Sequence, residues 1–583
     1  MPKTDHHTLE KQTEREKALA AERKKLLILP PEQALEAIAN HPLPVSLVQS
    51  MAEEDLHLLI HAIGLDDALQ VMGLASNEQW QYLLDMETWQ RDHLDPMALT
   101  QWFDRLLKAD PDRFTHWIAN EQREMFEYYL FHNIELYVRE YEVDPGEIGE
   151  GFFSEDQVHY FRLRPFAPAG EETHPQQEQR DQLINDLLKR ISVYDFPLYQ
   201  TLLLESAGAI PSEVEEELLR LRTMRLAEKG FLPFEEAVGV YQPLTIKELL
   251  QRHPKSPQTS GRPAQSYPLR LDPTVLPDTA DYFTRTLFRL QDQATLQRLQ
   301  AEFAGLCNQV IVADQKKIAE KEVLSQVVAK VSGYISIGLE QADAEAAAPD
   351  PYRGANLIQN YLLSDLFRVG YGCALNLKWQ AERWRRESWF NKIGLKPAFW
   401  GEAWLGVLGG LLIKKPLFFD NYASGKLYRE FASLAEIQHC RQVLEQIRAW
   451  DDLLALMAVE VPPLQTAAFL TYQNLIFTLW ADHCLDLETS PLSIQPLSLE
   501  QFQHFFSMLW EPGATPRRIR KPMREAFLNW LAVRGGLKTF EISQRMGSTL
   551  EELFILLENE MGALTAESID PRHIQLFLFR AEP

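Results

Sequence analysis

Two histidines four residues apart, His57 and His61, are the first residues in this sequence whose spacing could do chemistry. On a helix this spacing puts both imidazoles on one face, where they can bind zinc with Glu53 or Asp55 as a third ligand. The residues between them are Leu-Leu-Ile, so the glutamate that acts as general base in a zincin motif is missing. We therefore expect an amphipathic helix with two incidental histidines and keep zinc binding as the alternative.

A second candidate metal site consists of two identical dipeptides on separate predicted helices, His439-Cys440 and His483-Cys484. If these helices face each other, two cysteines and two histidines could hold zinc. Adjacent residues on a helix point about 100° apart, however, so both members of one dipeptide rarely bind the same ion. The sequence also lacks the C-x2-C spacing typical of zinc sites, so this site is a minor alternative.

Two cationic clusters could bind an anion or a partner. The first precedes a predicted helix that contains Trp530, and its members are Arg517, Arg518, Arg520, Lys521 and Arg524. The second alternates with tryptophans, and its members are Lys378, Trp379, Arg383, Trp384, Arg385, Arg386 and Trp389. Such mixtures are typical of surfaces that bind single-stranded nucleic acid or an acidic peptide. We favour the alternative that the tryptophans pack in the core while the arginines pair with the many acids of the chain.

Motifs for phosphate binding and nucleophilic catalysis are absent from the sequence, which contains no GxxxxGK[ST] and no GxSxG. The glycines of PGEIGEGF stand among acidic residues and precede no predicted helix, so this segment is predicted to be a turn. Carboxylate pairs are numerous, but they are adjacent residues on predicted exposed faces. No catalytic residue can be named, and the sequence leans against an enzyme.

Charge and length limit the possible classes of protein. The 583 residues include 58 Lys and Arg against 83 Asp and Glu, a net charge of −25. Binding to a nucleic-acid backbone needs a surplus of cations, so this balance disfavours nucleic acid and would attract a basic partner segment. A single hydrophobic core stops growing at about 250–300 residues, so we expect two to four folding units.

The sequence predicts a cytoplasmic protein. Its four cysteines are too few and too far apart for a disulfide framework, and the N-terminus has no apolar segment of signal-peptide type. The longest apolar stretch, residues 398–413, falls short of the roughly 20 residues that span a membrane and contains Glu402. We predict a buried helix and loop there, no membrane association and no cofactor.

The periodicity of apolar residues predicts a mainly α fold, a multi-helical array of short stacked helices with a superhelix-like N-terminal part, a small inserted β-hairpin and a second helical domain. Ser76 and Ser212 are predicted to cap two of the helices. The predicted parts are a charged N-terminal lead (1–28), a short-helix superhelical domain (29–133), a β-hairpin insertion (134–164), a helical segment (176–252), a Pro-rich linker (253–277) and a C-terminal helical domain (278–583).

The run LPPEQALEAIANHP at residues 29–42, with LHLLIHAIGLDDALQVMGLASNEQWQYLLDMETWQRDHLDP after it, resembles a bacterial family of cytosolic helical proteins of unknown function. The resemblance covers most of the chain and implies no functional residues. Residues 29–130 are more remotely similar to the superhelical cytosolic domain of bacterial magnesium transporters and to flagellar motor-switch helical repeats. That similarity implies a helical array that binds partners or senses ions through acidic faces.

These observations favour a non-enzymatic cytosolic helical scaffold or adaptor that binds another protein. The first alternative is an enzyme whose site assembles from sequence-distant residues in the C-terminal half. The second is a nucleic-acid-associated factor that uses the two cationic clusters. The sequence leaves the oligomeric state open.

Overall fold

The computed structural model contains mainly α-helices with three small β-hairpins, as the sequence predicts. It describes residues 19, 21–23, 25–26, 29–140, 144, 147–165, 175–208, 210–252, 281–316, 321–344, 351–461, 470–513 and 517–580. Most of the predicted lead and the whole predicted 253–277 linker lie outside these residues.

Short helices make up the N-terminal part: α1 (Pro31–Ala39), α2 (Pro44–Gln49), α3 (Glu53–Ile63), α4 (Leu69–Leu74), α5 (Asn77–Glu87), α6 (Pro96–Ala109), α7 (Pro111–Asn120) and α8 (Arg123–Asn133). Side-chain caps fix where several of them begin. Ser76 accepts a hydrogen bond from the Gln79 amide, and the Gln79 side chain accepts one from the Ser76 amide, which confirms the predicted cap of α5. The side chains of Asp95 and Asp110 cap α6 and α7 by accepting hydrogen bonds from first-turn amides, without a reciprocal bond.

The next group mixes long and short helices: α9 (Pro175–Tyr194), α10 (Phe196–Gly208), α11 (Pro211–Glu228), α12 (Phe234–Ala237), α13 (Ile246–Gln251), α14 (Tyr282–Leu287), α15 (Gln293–Asp314), α16 (Lys321–Asp343), α17 (Pro351–Asn360) and α18 (Leu363–Glu387). The last group is α19 (Trp389–Lys392), α20 (Glu402–Leu412), α21 (Leu434–Leu456), α22 (Tyr472–Cys484), α23 (Leu499–Leu509), α24 (Lys521–Gly535), α25 (Thr539–Met546) and α26 (Thr549–Met561). Short 3-10 turns occupy Val238–Tyr241, Pro397–Trp400, Ala566–Ser568 and Pro571–His573.

Each β-sheet is a two-stranded antiparallel pair. The predicted insertion forms a hairpin of β3 (Ile134–Val138) and β4 (His159–Leu163), in which Ile134 pairs with Leu163. The two smaller pairs are β1 (Trp89–Gln90) with β2 (His93–Leu94) and β5 (Phe418–Phe419) with β6 (Tyr428–Arg429).

The apolar stretch at residues 398–413 is divided between a 3-10 turn, Pro397–Trp400, and α20. α20 has only 11 residues, and Gly401 in a left-handed conformation separates it from the turn. Among the described residues, no helix combines the length and the apolar character needed to cross a bilayer.

Two hydrophobic cores organise the described chain. The first core contains apolar residues between Leu26 and Leu218, and the second contains Leu58, Tyr82 and residues from Leu226 to Phe577. The boundary between them therefore lies inside α11, and α12 and α13 already belong to the second core through Ala237 and Leu249.

Candidate metal centre

Helices α3 and α5 bring together three side chains that can bind a metal ion, His57, His61 and Glu87, which we call the metal centre. One ligand atom from each lies within 4.8 Å of the others, and in the described part of the chain this is the one such group of three. The Nε2 atoms of His57 and His61 lie 2.6 Å and 2.9 Å from the same carboxylate oxygen, Oε1 of Glu87.

Local sequence explains the geometry. The four-residue spacing puts both imidazoles on one face of α3, with ring centroids 4.6 Å apart. The capping box at Ser76 fixes the start of α5, so Glu87 falls on its last turn, where the helix packs against α3. Neither Glu53 nor Asp55, the third ligands considered from the sequence, belongs to the group.

Aromatic rings restrict the two imidazoles. Tyr82 meets the His57 ring edge-on at 6.1 Å between centroids, and Trp102 meets the His61 ring at 6.5 Å. The side chains of His57, His61 and Glu87 are only 3%, 11% and 13% exposed, so the centre is shielded from water on most sides. Ligands held by such packing lose little rotamer freedom when an ion binds.

Burial and hydrogen bonding shift the ionisation of the centre. Burial lowers the pKa of His57, which favours the neutral imidazole. Burial also acts to raise the pKa of Glu87, but hydrogen bonds from both imidazoles outweigh it and hold the pKa well below its usual range. One turn before His57, burial raises the pKa of the Glu54 carboxyl to about 7.

The three side chains fit a divalent transition-metal ion after a small adjustment. Zinc binds imidazole nitrogen and carboxylate oxygen at about 2.0–2.2 Å, so tetrahedral ligands stand about 3.3 Å from one another. The present contacts of 2.6 Å and 2.9 Å are hydrogen bonds, and an ion would widen them by a few tenths of an ångström. Two histidines and one carboxylate leave a coordination position open, as in catalytic zinc sites and in the facial triads of non-haem iron.

Among the described residues, no group of three possible metal ligands includes a member of either His-Cys dipeptide. His439 is exposed, and Cys440 lies in the second core, where burial raises the pKa of its thiol to about 12. His483 contacts Glu488 at 3.0 Å and stacks on the Trp530 ring. Burial raises the pKa of the Cys484 thiol to about 11, away from the thiolate that binds metal.

The first cationic cluster is partly neutralised. Arg524 donates hydrogen bonds of 2.8 Å to Glu551 and Glu558, and Arg517 lies over the Phe506 ring. Lys521 is 3.9 Å from Glu525. The two remaining members, Arg518 and Arg520, are exposed and form no ion pair with any residue that the structure describes.

The second cationic cluster is divided between core and surface. Trp384 is buried in the second core, Trp389 is half-buried, and Trp379 is 46% exposed. Arg383, Arg385 and Arg386 are exposed and have no ion-pair partner among the described residues, whereas Lys378 pairs with Glu382 at 2.6 Å.

A third polar group, missed by the sequence reasoning, lies in the second core around Lys330 on α16. The Lys330 Nζ atom, on a side chain only 2% exposed, is 3.0 Å from Asp314 and 2.8 Å from Glu430. Tyr241 donates a 2.6 Å hydrogen bond to Asp314, and Lys415 also contacts Asp314. Attraction to Lys330 and these hydrogen bonds outweigh burial and lower the pKa of Asp314.

The only linear signal for this group is a lysine inside the apolar run VVAKVSGY. Its acidic partners are 16 and 100 residues away in sequence, and Glu87 is likewise 26 residues from His61. Helical periodicity predicts which residues share a face of one helix, but not which residue of another helix meets them.

A family profile described as "Family of unknown function (DUF6178)" matches residues 10–580. Neither a curated protein nor a solved structure matches the chain. Since the profile spans nearly the whole sequence, the chain belongs to this family of unknown function.

Proposed function

We propose that the protein is a non-enzymatic helical scaffold whose metal centre holds one divalent transition-metal ion. The observation that carries the metal-binding part is the convergence of two imidazole nitrogens on one buried carboxylate oxygen. His₂Glu is a ligand set that zinc and ferrous iron both accept.

To test this, a chelator removes any metal from the protein, and zinc is then added. Cobalt in place of zinc serves as an optical probe of the coordination geometry. We expect about one ion per chain by elemental analysis and calorimetry. His61→Ala and Glu87→Gln should each weaken binding by at least about tenfold because two ligands hold an ion poorly.

His439→Ala is the matched control, because it removes an exposed histidine from the other predicted metal site. It should leave zinc binding unchanged. Zinc binding that survives His61→Ala, or a wild-type chain that binds no zinc, iron or cobalt, would contradict the metal centre.

The scaffold part of the proposal is supported by an exposed apolar group at the junction of α9 and α10. Val193 is 83% exposed, Tyr194 52% and Phe196 44%, although all three are residues that normally lie in the core. Asp195 stands between Tyr194 and Phe196 and is exposed, and exposed Asp112 pairs with Arg190 at 3.6 Å. A partner segment with apolar residues matches this exposed group, and basic residues in that segment match the net charge of −25 on the chain.

The experiment compares partners captured from the protein's own cells by the wild-type chain and by Val193→Ser/Phe196→Ser. A stoichiometric partner that binds the wild type and not the variant, through a basic segment located by cross-linking, would support the scaffold. Val533→Ser, also at a highly exposed position, is the control. The scaffold proposal would be contradicted if the wild type and both variants captured the same partners, or if the wild type captured none.

A second candidate is an enzyme, and the buried group around Lys330 favours it because its residues come from distant parts of the C-terminal half. Native mass spectrometry of the gently isolated chain tests this. A small molecule bound to the wild type and to Lys521→Met but lost in a folded Lys330→Met variant would support an enzyme. A wild-type chain that carries nothing would argue against it.

The third candidate, nucleic-acid binding, rests on exposed Arg518 and Arg520. It requires binding of a single-stranded oligonucleotide that weakens steeply with salt and falls further in Arg518→Glu/Arg520→Glu. Absent or salt-insensitive binding would remove this candidate.

A further inference from the structure

We infer that an ion in the metal centre strengthens the contact between the first and second cores, so that metal occupancy regulates how firmly the two parts of the chain hold together. This inference rests on the proposed metal site. Its basis is that α3 and α5, which supply all three ligands, also supply the residues that reach the second core.

Apolar residues next to the ligands form part of this contact. Leu58 follows His57 on α3, and Tyr82 lies on α5, yet both are buried in the second core and not in the first. Phe231 and Leu226, from the end of α11 and the segment after it, belong to the same core. The helices that hold the ligands are therefore also a docking surface for the second part of the chain.

An ion pair between buried Asp85, two residues before Glu87, and partly exposed Arg225 joins α5 to α11. The carboxylate of Asp85, on a residue only 1% exposed, accepts hydrogen bonds of 2.7 Å and 2.8 Å from Arg225. Its main-chain carbonyl accepts a 2.8 Å hydrogen bond from Arg222. Separating these groups would leave the buried Asp85 carboxylate with a hydrogen bond from Gln81 but without its charged partner, which is costly.

A second connection starts from the first residue of α3. Glu53 pairs with Lys229 at 2.7 Å, and the carbonyl of Lys229 accepts a 3.2 Å hydrogen bond from Asn308 on α15. The two connections start from different helices of the metal centre. The first ends on α11 next to Leu226 of the second core, and the second ends on α15.

The coupling follows from mass action. An ion binds tightly only when α3 and α5 are held at the correct separation. The same separation is needed for Leu58 and Tyr82 to pack in the second core and for Asp85 to reach Arg225 on α11. Zinc therefore favours the docked arrangement, and the docked arrangement favours zinc. Linkage makes the two effects reciprocal: the factor by which docking raises zinc affinity equals the factor by which zinc favours docking. A variant in which the docked arrangement is less populated should therefore bind zinc more weakly.

Hydrogen exchange and calorimetry, with zinc alone as the ligand of the full chain, test this reciprocity. In the wild type, zinc should slow amide exchange in α11 by about fivefold or more and leave α24, remote from this contact, unchanged. Arg225→Gln, which breaks the pair with Asp85, should weaken zinc binding by about fivefold or more although it removes no ligand.

Lys229→Gln is the milder variant if Arg225→Gln unfolds, and it should weaken zinc binding in the same direction. Arg524→Gln breaks an ion pair in the second core away from this contact and should bind zinc like the wild type. Zinc binding equal in wild type, Arg225→Gln and Lys229→Gln, with no protection of α11, would overturn the inference while leaving the metal site intact. A wild-type chain that binds no metal would instead overturn the proposed function.

Discussion

Asp482, on α22, is a buried carboxyl group whose two oxygens differ in their partners. Its Oδ2 atom accepts a 3.2 Å hydrogen bond from the Gln495 amide, and Oδ1 has no hydrogen-bond partner among the described residues. Burial raises the pKa of this carboxyl from 3.8 to about 7. The folded protein therefore holds a proton there that the unfolded chain would release.

This shift predicts a pH-dependent stability. Because the folded-state pKa is the higher one, the stabilisation is complete below about pH 4 and is lost as the pH rises through 7. The wild type should lose about 2–3 kcal/mol of unfolding free energy from this group between pH 5 and pH 8.5. Asp482→Asn cannot ionise and should lack this loss, which urea unfolding at a series of pH values will measure.

Asp452→Asn provides the control, since Asp452 is exposed, and its pH dependence should match the wild type. An Asp482→Asn variant that loses stability between pH 5 and pH 8.5 as steeply as the wild type would show that Asp482 is not the group responsible.

At the scale of elements, helices α16 and α18 cross so closely that only glycine fits at the contact. A Cβ atom on Gly338 would overlap the Leu366 carbonyl oxygen, and one on Gly370 would overlap the Tyr334 carbonyl oxygen. Backbone atoms cannot move aside as flexible side chains can, so the two helices would have to separate.

Gly338→Ala should therefore destabilise the protein by about 2–3 kcal/mol through overpacking, measured by denaturant unfolding. Gly305, on α15, is the matched control, because a Cβ there would meet no atom within 4 Å. Gly305→Ala should stabilise by about 0.5–1 kcal/mol through reduced chain entropy. Equal effects of the two substitutions would contradict the close crossing.

The ends of helices show how far local sequence can predict an element. Ser76 was predicted to cap α5, and the structure confirms the prediction with a full capping box. The prediction for Ser212 was wrong, because Pro211 begins α11 one residue earlier and Ile210 precedes it without a side-chain hydrogen bond. Proline fits the first helical position without a cap, since it has no amide hydrogen to satisfy.

At the scale of the whole molecule, metal binding should be visible as thermal stability. A ligand that binds only the folded state at 100 times its dissociation constant adds about 2.7 kcal/mol. Since about 1 kcal/mol corresponds to roughly 2–4 °C for a unit the size of the first core, zinc should raise its melting temperature by roughly 5–10 °C. Scanning calorimetry of chelator-treated chain with and without zinc measures the shift.

His61→Ala should show no shift under the same conditions, and His439→Ala should shift like the wild type. A shift of equal size in His61→Ala would mean that zinc binds elsewhere on the chain.

The sequence alone determined the class of fold, because helix formation depends mainly on patterns within about 20 residues. Apolar spacing predicted the short helices of residues 29–133, and the switch to alternation predicted the β3–β4 hairpin. The cap at Ser76 and the absence of a spanning helix among the described residues follow from equally local features.

Only the tertiary structure decided which distant residues meet. His57 and His61 are visible as a pair in the sequence, but their third partner is Glu87 from another helix, in place of Glu53 or Asp55. Tertiary packing likewise brings Asp314 and Glu430 to Lys330. It also sets the boundary between the two cores inside α11. Packing of one helix on another sets these contacts, and no spacing along a single helix encodes them.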